Sequence, residues 1–216
     1  MSVAALAGRL PDPRTLLRWA RAMAVLDAVL SPEWELRYFS FDAAWADDES
    51  MALMRNGGGD EWSITCTPSG TFVRGFDHES ALSPFAQDPP GLAPGLLTGL
   101  PPGLREAADE PAFTLHGQSL VTVALWWPAD ARWWDFGEPP AATDDGGTWV
   151  FDQLDGRPDT YRTFAVEYHG RDLELDVLRR VYAHEPLTAE LVAAVDPEVA
   201  WEEVADEVSA MGYPVG

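Results

Sequence analysis

The chain lacks lysine altogether, so all 14 of its basic residues are arginine, and they face 36 acidic residues in a chain of 216. A formal net charge of -22 disfavours nucleic acid and anionic membranes as partners, because both are bound by cationic surfaces. The acidic excess is uneven, since residues 109–216 carry 22 of the 36 acidic residues. We therefore predict a basic protein partner, no nucleic acid and no membrane.

Cysteine and long apolar runs are also scarce. The single cysteine, Cys66, cannot form a disulfide within the chain. No run reaches the roughly 18 apolar residues of a membrane helix, and MSVAALAGRL is too short and weakly apolar for a signal peptide. We expect a cytoplasmic protein. With 46% hydrophobic residues and ten tryptophans, the chain can build a sizeable core, and its length predicts one domain over residues 1–216.

Hydrophobic periodicity predicts helix first and strands afterwards. Asp12 can cap an N-terminal helix that starts at Pro13, and apolar residues recur at helical spacing as far as Leu30. The pattern then becomes β-prone, and two runs on either side of PSG predict a hairpin. The β-prone runs are residues 34–41, 51–54, 62–67, 71–76, 120–127, 133–136, 149–154 and 161–169.

Residues 84–103, PFAQDPPGLAPGLLTGLPPG, contain too much proline and glycine for a long helix or a central strand. We interpret this segment as an ordered crossing loop, with a short helix at 103–109. Helical spacing then returns at 173–182, at 188–195 and in a last helix after Asp196. The predicted fold is α+β, a mostly antiparallel sheet with an N-terminal helix and C-terminal helices packed on one face.

The last predicted helix combines one apolar stripe with an acidic surface. A charge run is most often a solvated face, but its functional interpretation is a docking surface, because carboxylates attract cationic partners. Like charges four residues apart also weaken a helix, so their retention suggests a use. The candidate partner-binding residues are Glu198, Glu202, Glu203, Asp206 and Glu207.

Two stretches suggest site chemistry, RNGGGDEW at 55–62 and RGFDHES at 74–80. Their carboxylates and imidazole suit a divalent cation, so one hypothesis is a metal-assisted hydrolase. Solvated turns explain the pattern better than a metal site does, because an acidic chain places many carboxylates at turns. An intermediate interpretation is a structural network in which Asp60 and Glu61 accept hydrogen bonds from the glycine amides or from Arg55 and Arg74. No catalytic motif is complete, so we predict no catalytic residue and no cofactor. The possible cluster is Asp60, Glu61, Asp77, His78 and Glu79.

Paired tryptophans in ALWWPADARWWDF, residues 124–136, give a third hypothesis, a small-ligand site that uses stacked indoles. Neighbouring residues of a strand point to opposite faces, so each pair can instead send one ring into the core and the other under a covering helix. We expect core packing to prevail. The residues concerned are Trp126, Trp127, Trp133 and Trp134.

The blocks MRNGGGDEW, RGFDHES and HEPLTAELV resemble those of a group of small soluble bacterial proteins without a characterised activity. In general type, an acidic, tryptophan-rich α+β domain without a catalytic motif is also similar to immunity proteins, which neutralise toxin domains. The leading hypothesis is therefore a non-enzymatic acidic protein, immunity-like in type, that docks a basic partner.

Overall fold

The N-terminal region folds into two consecutive helices. The computed structural model describes residues 2–138 and 146–216. A short helix, α1 (Val3–Arg9), precedes α2 (Pro13–Leu30), and no prediction covered α1. The predicted start of α2 is confirmed, because the Asp12 carboxylate accepts hydrogen bonds from the amides of Arg14 and Thr15.

The strands are β1 (Phe39–Ala46), β2 (Glu49–Arg55), β3 (Glu61–Thr67), β4 (Gly70–Phe76), β5 (Thr114–Leu115), β6 (Gln118–Ser119), β7 (Val123–Pro128) and β8 (Asp135–Phe136). Six of them form an antiparallel sheet with the strand order β1-β2-β3-β4-β7-β8. The predicted hairpin is the β3–β4 pair, in which Trp62 lies opposite Gly75 and Cys66 opposite Thr71. A separate two-stranded ribbon, β5–β6, belongs to the segment between β4 and β7.

The later helices pack with α2 on one face of the sheet, which confirms the predicted α+β class. None of the helices in the described ranges is long and apolar enough to cross a membrane. The helices that pack with α2 are α4 (Pro158–Phe164), α5 (Leu175–Tyr182), α6 (Ala189–Val195) and α7 (Trp201–Ala210). A short helix, α3 (Arg105–Ala108), lies on the other face of the sheet.

Two predicted strands are wrong. Residues 161–169 form the end of α4 and a π-helical turn (Ala165–His169), and residues 148–151 form a 3-10 turn. The aromatic and β-branched residues of YRTFAVEYH favour a strand. However, Tyr161, Phe164 and Ala165 are buried at helical spacing, so burial against the core overrides the local preference.

The sheet is covered unequally on its two faces. The principal core fills the space between one face and the helices. On the other face, residues of β4 and β7 pack under the chain that connects them, residues 77–122, which we call the crossing segment. Phe72 and Trp126 meet Leu100 and Leu104 there. The same face of β1 and β2 is not covered in this way, and Leu53 there lines surface hollows.

Asp27 is a fully buried acid in the middle of α2. Its Oδ2 accepts hydrogen bonds from the backbone amides of Tyr38 at 2.9 Å and Phe39 at 2.8 Å, at the start of β1. Its Oδ1 accepts from the Tyr161 hydroxyl at 2.7 Å and lies 3.2 Å from His169 Nε2. Burial and the Asp27 charge raise the pKa of Tyr161, which keeps its hydroxyl protonated as a donor. One carboxylate thus joins α2, β1, α4 and the π-helical turn.

We expect Asp27→Ala to lower the free energy of unfolding by about 3–5 kcal/mol, because two backbone amides and the Tyr161 hydroxyl lose their acceptor in the core. Tyr161→Phe, which removes one donor, should cost about 1 kcal/mol. Urea unfolding measures both. Asp176→Ala is the matched control, since that side chain is 88% exposed, and it should change stability by less than about 0.5 kcal/mol. A similar small change for Asp27→Ala would contradict the role assigned to Asp27.

Candidate functional site

An apolar groove lies over the uncovered face of β1 and β2. It consists of two adjoining hollows of about 260 and 290 Å³, both lined by Trp34, Ser40 and Leu53. Three large apolar side chains are exposed beside it: Trp34 at 56%, Leu36 at 59% and Trp45 at 36%. We call this surface the Trp34 groove. The Trp34 groove was not predicted from the sequence. The available sequence signal for it was that Trp34 and Trp45 flank the β1 pattern.

The acidic helix α7 forms one wall of the Trp34 groove, since Glu207, Ala210 and Met211 line the second hollow. Glu203 lies one helical turn before Glu207 on the same side of α7, and Asp206 is one turn before Ala210. Both Glu203 and Asp206 are exposed, as is Glu202. The predicted acidic residues of α7 and the groove are therefore parts of one surface.

Two of the predicted partner-binding carboxylates already have cationic partners. Glu207 forms a bidentate ion pair with the buried Arg37, in which Arg37 Nη2 lies 2.9 Å from Glu207 Oε2. Glu198 lies 3.7 Å from Arg171, which pairs more closely with Asp196. Within residues 2–138 and 146–216, Glu202, Glu203 and Asp206 form no ion pair. These three carboxylates are the free charges of α7.

The groove has further unpaired acids on its sheet side. Glu35 lines the first hollow and Asp42 lines the second, and both are exposed. Two arginines that line the first hollow already form ion pairs with other acids: Arg37 pairs with Glu207, and Arg55 lies 3.3 Å from Glu61. The rim of the Trp34 groove is therefore anionic.

Asp60 and His78 form a hydrogen-bonded pair where the glycine loop meets the end of β4. Asp60 Oδ1 lies 2.7 Å from His78 Nδ1 and also accepts a hydrogen bond from the His78 amide at 3.0 Å. Asp60 Oδ2 accepts from the Asn56 side chain at 2.7 Å. The predicted polar network is thus present, but the Asp60 carboxylate is held by Asn56 and His78 in place of the glycine amides.

The pair shifts both pKa values. The hydrogen bond to Asp60 raises the pKa of His78. Burial pushes the pKa of Asp60 upward, but the hydrogen bonds from His78 and Asn56 together outweigh burial, so the net shift is downward. The charged forms of both residues therefore stabilise one another.

Three of the five residues in the predicted polar cluster converge. Asp60, Asp77 and His78 can each offer one metal-ligand atom, and these atoms lie within 4.8 Å of one another, whereas Glu61 and Glu79 are outside the group. The oxygens of Asp77 already accept from the Glu79 amide and from Trp149 Nε1. A cation would have to share every carboxylate oxygen with an existing donor, so the geometry gives the hydrolase hypothesis little support.

Arg74 is buried on the sheet face opposite the principal core, with 1% of its surface exposed. It donates one hydrogen bond, from Nη2 to Ser63 Oγ at 2.9 Å, and its guanidinium stacks 3.5 Å from the centre of the Phe113 ring. Within the described residues, Nε and Nη1 have no partner. Burial lowers the pKa of Arg74 to about 9, so the group stays charged at neutral pH. Of the two arginines considered as partners of the acids at 60–61, Arg55 lies 3.3 Å from Glu61, whereas Arg74 forms no ion pair within the described residues.

The four paired tryptophans do not share one surface. Trp126 is buried in the second core, whereas Trp127 packs on the principal core and meets Trp134 edge to face at 5.4 Å. Trp134 is buried and donates from Nε1 to the Pro11 carbonyl at 2.7 Å. Trp133 is 71% exposed. Packing engages three of the four rings, as expected, while Trp127, Trp133 and Trp134 also line one open surface hollow. The stacking site therefore stays a prediction.

Comparison with known proteins finds no matching family model, no matching curated protein and no matching solved structure. The resemblance to small bacterial proteins therefore stays a prediction, and function has to be inferred from the surfaces described above.

We expect Arg74→Met to raise the free energy of unfolding by about 1 kcal/mol, because methionine fills similar volume without burying a charge that lacks partners. Ser63→Ala should have the opposite effect and cost about 1–3 kcal/mol, since it removes the remaining hydrogen-bond partner of Arg74. Urea unfolding of both variants provides the comparison. A loss of stability in Arg74→Met would show that its unpaired nitrogens find partners in solution.

The Asp60–His78 pair should make stability depend on pH. The raised pKa of His78 contributes stability that is present at acid pH and lost as pH rises through that pKa, while the lowered pKa of Asp60 contributes stability that is lost only in strong acid. The melting-temperature difference between the wild type and His78→Gln should be largest near about pH 5 and shrink toward about pH 9. His116→Asn serves as the control and should give no such trend; a flat difference for His78→Gln would rule out the pair.

Proposed function

We propose that this protein is a non-enzymatic binding protein that docks a basic segment of another protein in the Trp34 groove. One observation carries the proposal: exposed indoles line an apolar groove, and exposed carboxylates at its rim form no ion pair within the described parts of the chain. These carboxylates belong to Glu35, Asp42, Glu203 and Asp206. Aromatic anchors inside a charged rim are the usual composition of a protein interface.

The charges of α7 support a cationic occupant. Glu202 and Asp206 are four residues apart on the helix and repel one another, which costs the helix a few tenths of a kcal/mol. Glu203 and Glu207 have the same spacing, but Arg37 compensates Glu207. An arginine or lysine of a partner placed over Glu202, Glu203 and Asp206 would relieve the remaining repulsion. The net charge of -22 also speeds encounter with a cationic partner.

The apolar part of the groove specifies the rest of the occupant. Trp34 and Trp45 are flat, rigid side chains that bury a large area at low entropic cost. Leu53 lines both hollows, and the volumes of the hollows suit one or two apolar side chains. The proposed ligand is therefore a segment that carries arginine or lysine next to a leucine-like or aromatic side chain.

An immunity-type role is the form of this proposal that we favour. In that role the basic partner is a toxin domain, and docking covers the cationic surface with which it attacks nucleic acid or another polyanion. The hydrolase and the tryptophan-platform hypotheses receive less support, because only three cluster residues converge and because Trp126 and Trp134 are buried by packing.

Binding of a synthetic peptide with alternating arginine and leucine residues tests the docking surface. Calorimetry should show binding at about 50 mM salt and at least about tenfold weaker binding at about 500 mM salt, because exposed charges are screened. Trp34→Ala should weaken binding about tenfold or more at low salt through loss of an anchor. The double change Glu203→Gln with Asp206→Asn should reduce the salt dependence.

Matched controls separate this surface from the general acidity of the chain. Trp133→Ala removes an indole that is more exposed than Trp34 and lies away from the groove, and Glu190→Gln removes an exposed acid on α6. Both should bind like the wild type. Equal weakening by Trp133→Ala and Trp34→Ala, or insensitivity to salt, would refute docking in the Trp34 groove.

A further inference from the structure

A second concave surface lies on the other side of the glycine loop, with a volume of about 430 Å³. This is within the range of small-molecule sites. It shares only Arg55 and Gly57 with the Trp34 groove. We call it the His78 pocket, and it is lined by the glycine loop 57–59, Asp60, Phe76, His78, Phe85 and Leu115.

The imidazole of His78 is held in one orientation at this pocket. Asp60 is nearly buried, with 7% of its side chain exposed, whereas 48% of the His78 side chain is exposed. Below the raised pKa of His78 the imidazole is charged and Nε2 carries a hydrogen. Above that pKa the ring is neutral, and because Asp60 Oδ1 lies 2.7 Å from Nδ1, the remaining hydrogen stays on Nδ1 and leaves a lone pair on Nε2. Within the described residues, Nε2 has no partner. The glycine loop backs the ring, since a Cβ on Gly59 would lie 3.5 Å from it.

The other walls of the pocket are mainly apolar. Phe76 is 4% exposed and provides a fixed wall at the end of β4. Phe85 and Leu115 come from separate parts of the crossing segment, and both remain exposed, at 43% and 47%. Apolar side chains are left uncovered on either side of one oriented hydrogen-bond acceptor. This is the composition of a site for a small apolar molecule that carries a polar group.

We propose that the His78 pocket binds a small aromatic molecule whose hydroxyl group donates a hydrogen bond to His78 Nε2. A neutral donor fits better than an anion, because Asp60 and Glu61 line the same pocket and the chain is strongly acidic. A single ring fits between Phe76, Phe85 and Leu115, where aromatic contacts add to simple burial. The site is independent of the proposed partner docking, since it uses neither Trp34 nor α7.

Phenol and methoxybenzene are matched probes for this proposal, because they share the ring and differ in the hydroxyl hydrogen. Amide chemical shifts recorded at about pH 8.5, to favour the neutral imidazole, while each compound is added to about 20 mM, should reveal a saturable site with a phenol dissociation constant of about 1 mM. Shifts should centre on Gly57–Gly59, His78 and Leu115. Phenol should bind about three- to tenfold more tightly than methoxybenzene, the effect of one hydrogen bond.

Two variants examine the hydrogen bond and the pocket separately. His78→Leu should abolish the preference for phenol while both compounds still bind. Leu115→Glu, at an exposed position where folding is not at risk, should remove binding of both. His116→Asn and Trp34→Ala are controls that should bind like the wild type. Absence of saturable shifts, shifts centred elsewhere, or a phenol preference that persists in folded His78→Leu would overturn the proposal.

Discussion

The carboxylate of Asp27 is the interaction on which the arrangement of the molecule depends. It is fully buried, and it holds the amides of Tyr38 and Phe39 at the start of β1 against α2 while it accepts from Tyr161 on α4. A buried acid without these donors would be strongly unfavourable, so its burial ties the start of β1 and α4 to α2. The place of β1, and with it the Trp34 groove, follows from this constraint.

Two arginines are buried, and the acidic residues far outnumber the arginines that remain at the surface. Arg37 is buried beneath the Glu207 carboxylate, and Arg74 is buried under Phe113, so neither offers its charge to solvent. Others pair with acids one to one at the surface, as Arg162 does with Asp172. With 36 acids and 14 arginines, most carboxylates remain unpaired. This division of charge gives the protein an outward anionic field, which is the physical basis of the proposed docking of a basic partner.

Unequal coverage of the sheet creates the two candidate surfaces. The crossing segment is long enough to cover β4 and β7 with Leu100 and Leu104, but the β1–β2 half of that face stays open. The open half becomes the Trp34 groove. Where the segment leaves β4, the apolar side chains of Phe85 and Leu115 remain partly uncovered beside His78. Both surfaces are therefore consequences of how one irregular segment is placed.

Local patterns were sufficient for much of the fold. The cap at Asp12, the β3–β4 hairpin and the helical spacing of α7 are each set by neighbours within a few residues, and all were predictable. The helix at 161–164 was not, because its β-prone side chains become helical only through burial against α2. The candidate surfaces were also only partly predictable. Composition established the acidic surface. The contacts that complete the two sites join residues far apart in the chain: Arg37 with Glu207, Asp60 with His78, and Trp34 with α7. Such contacts depend on packing of the whole molecule, which no local pattern encodes.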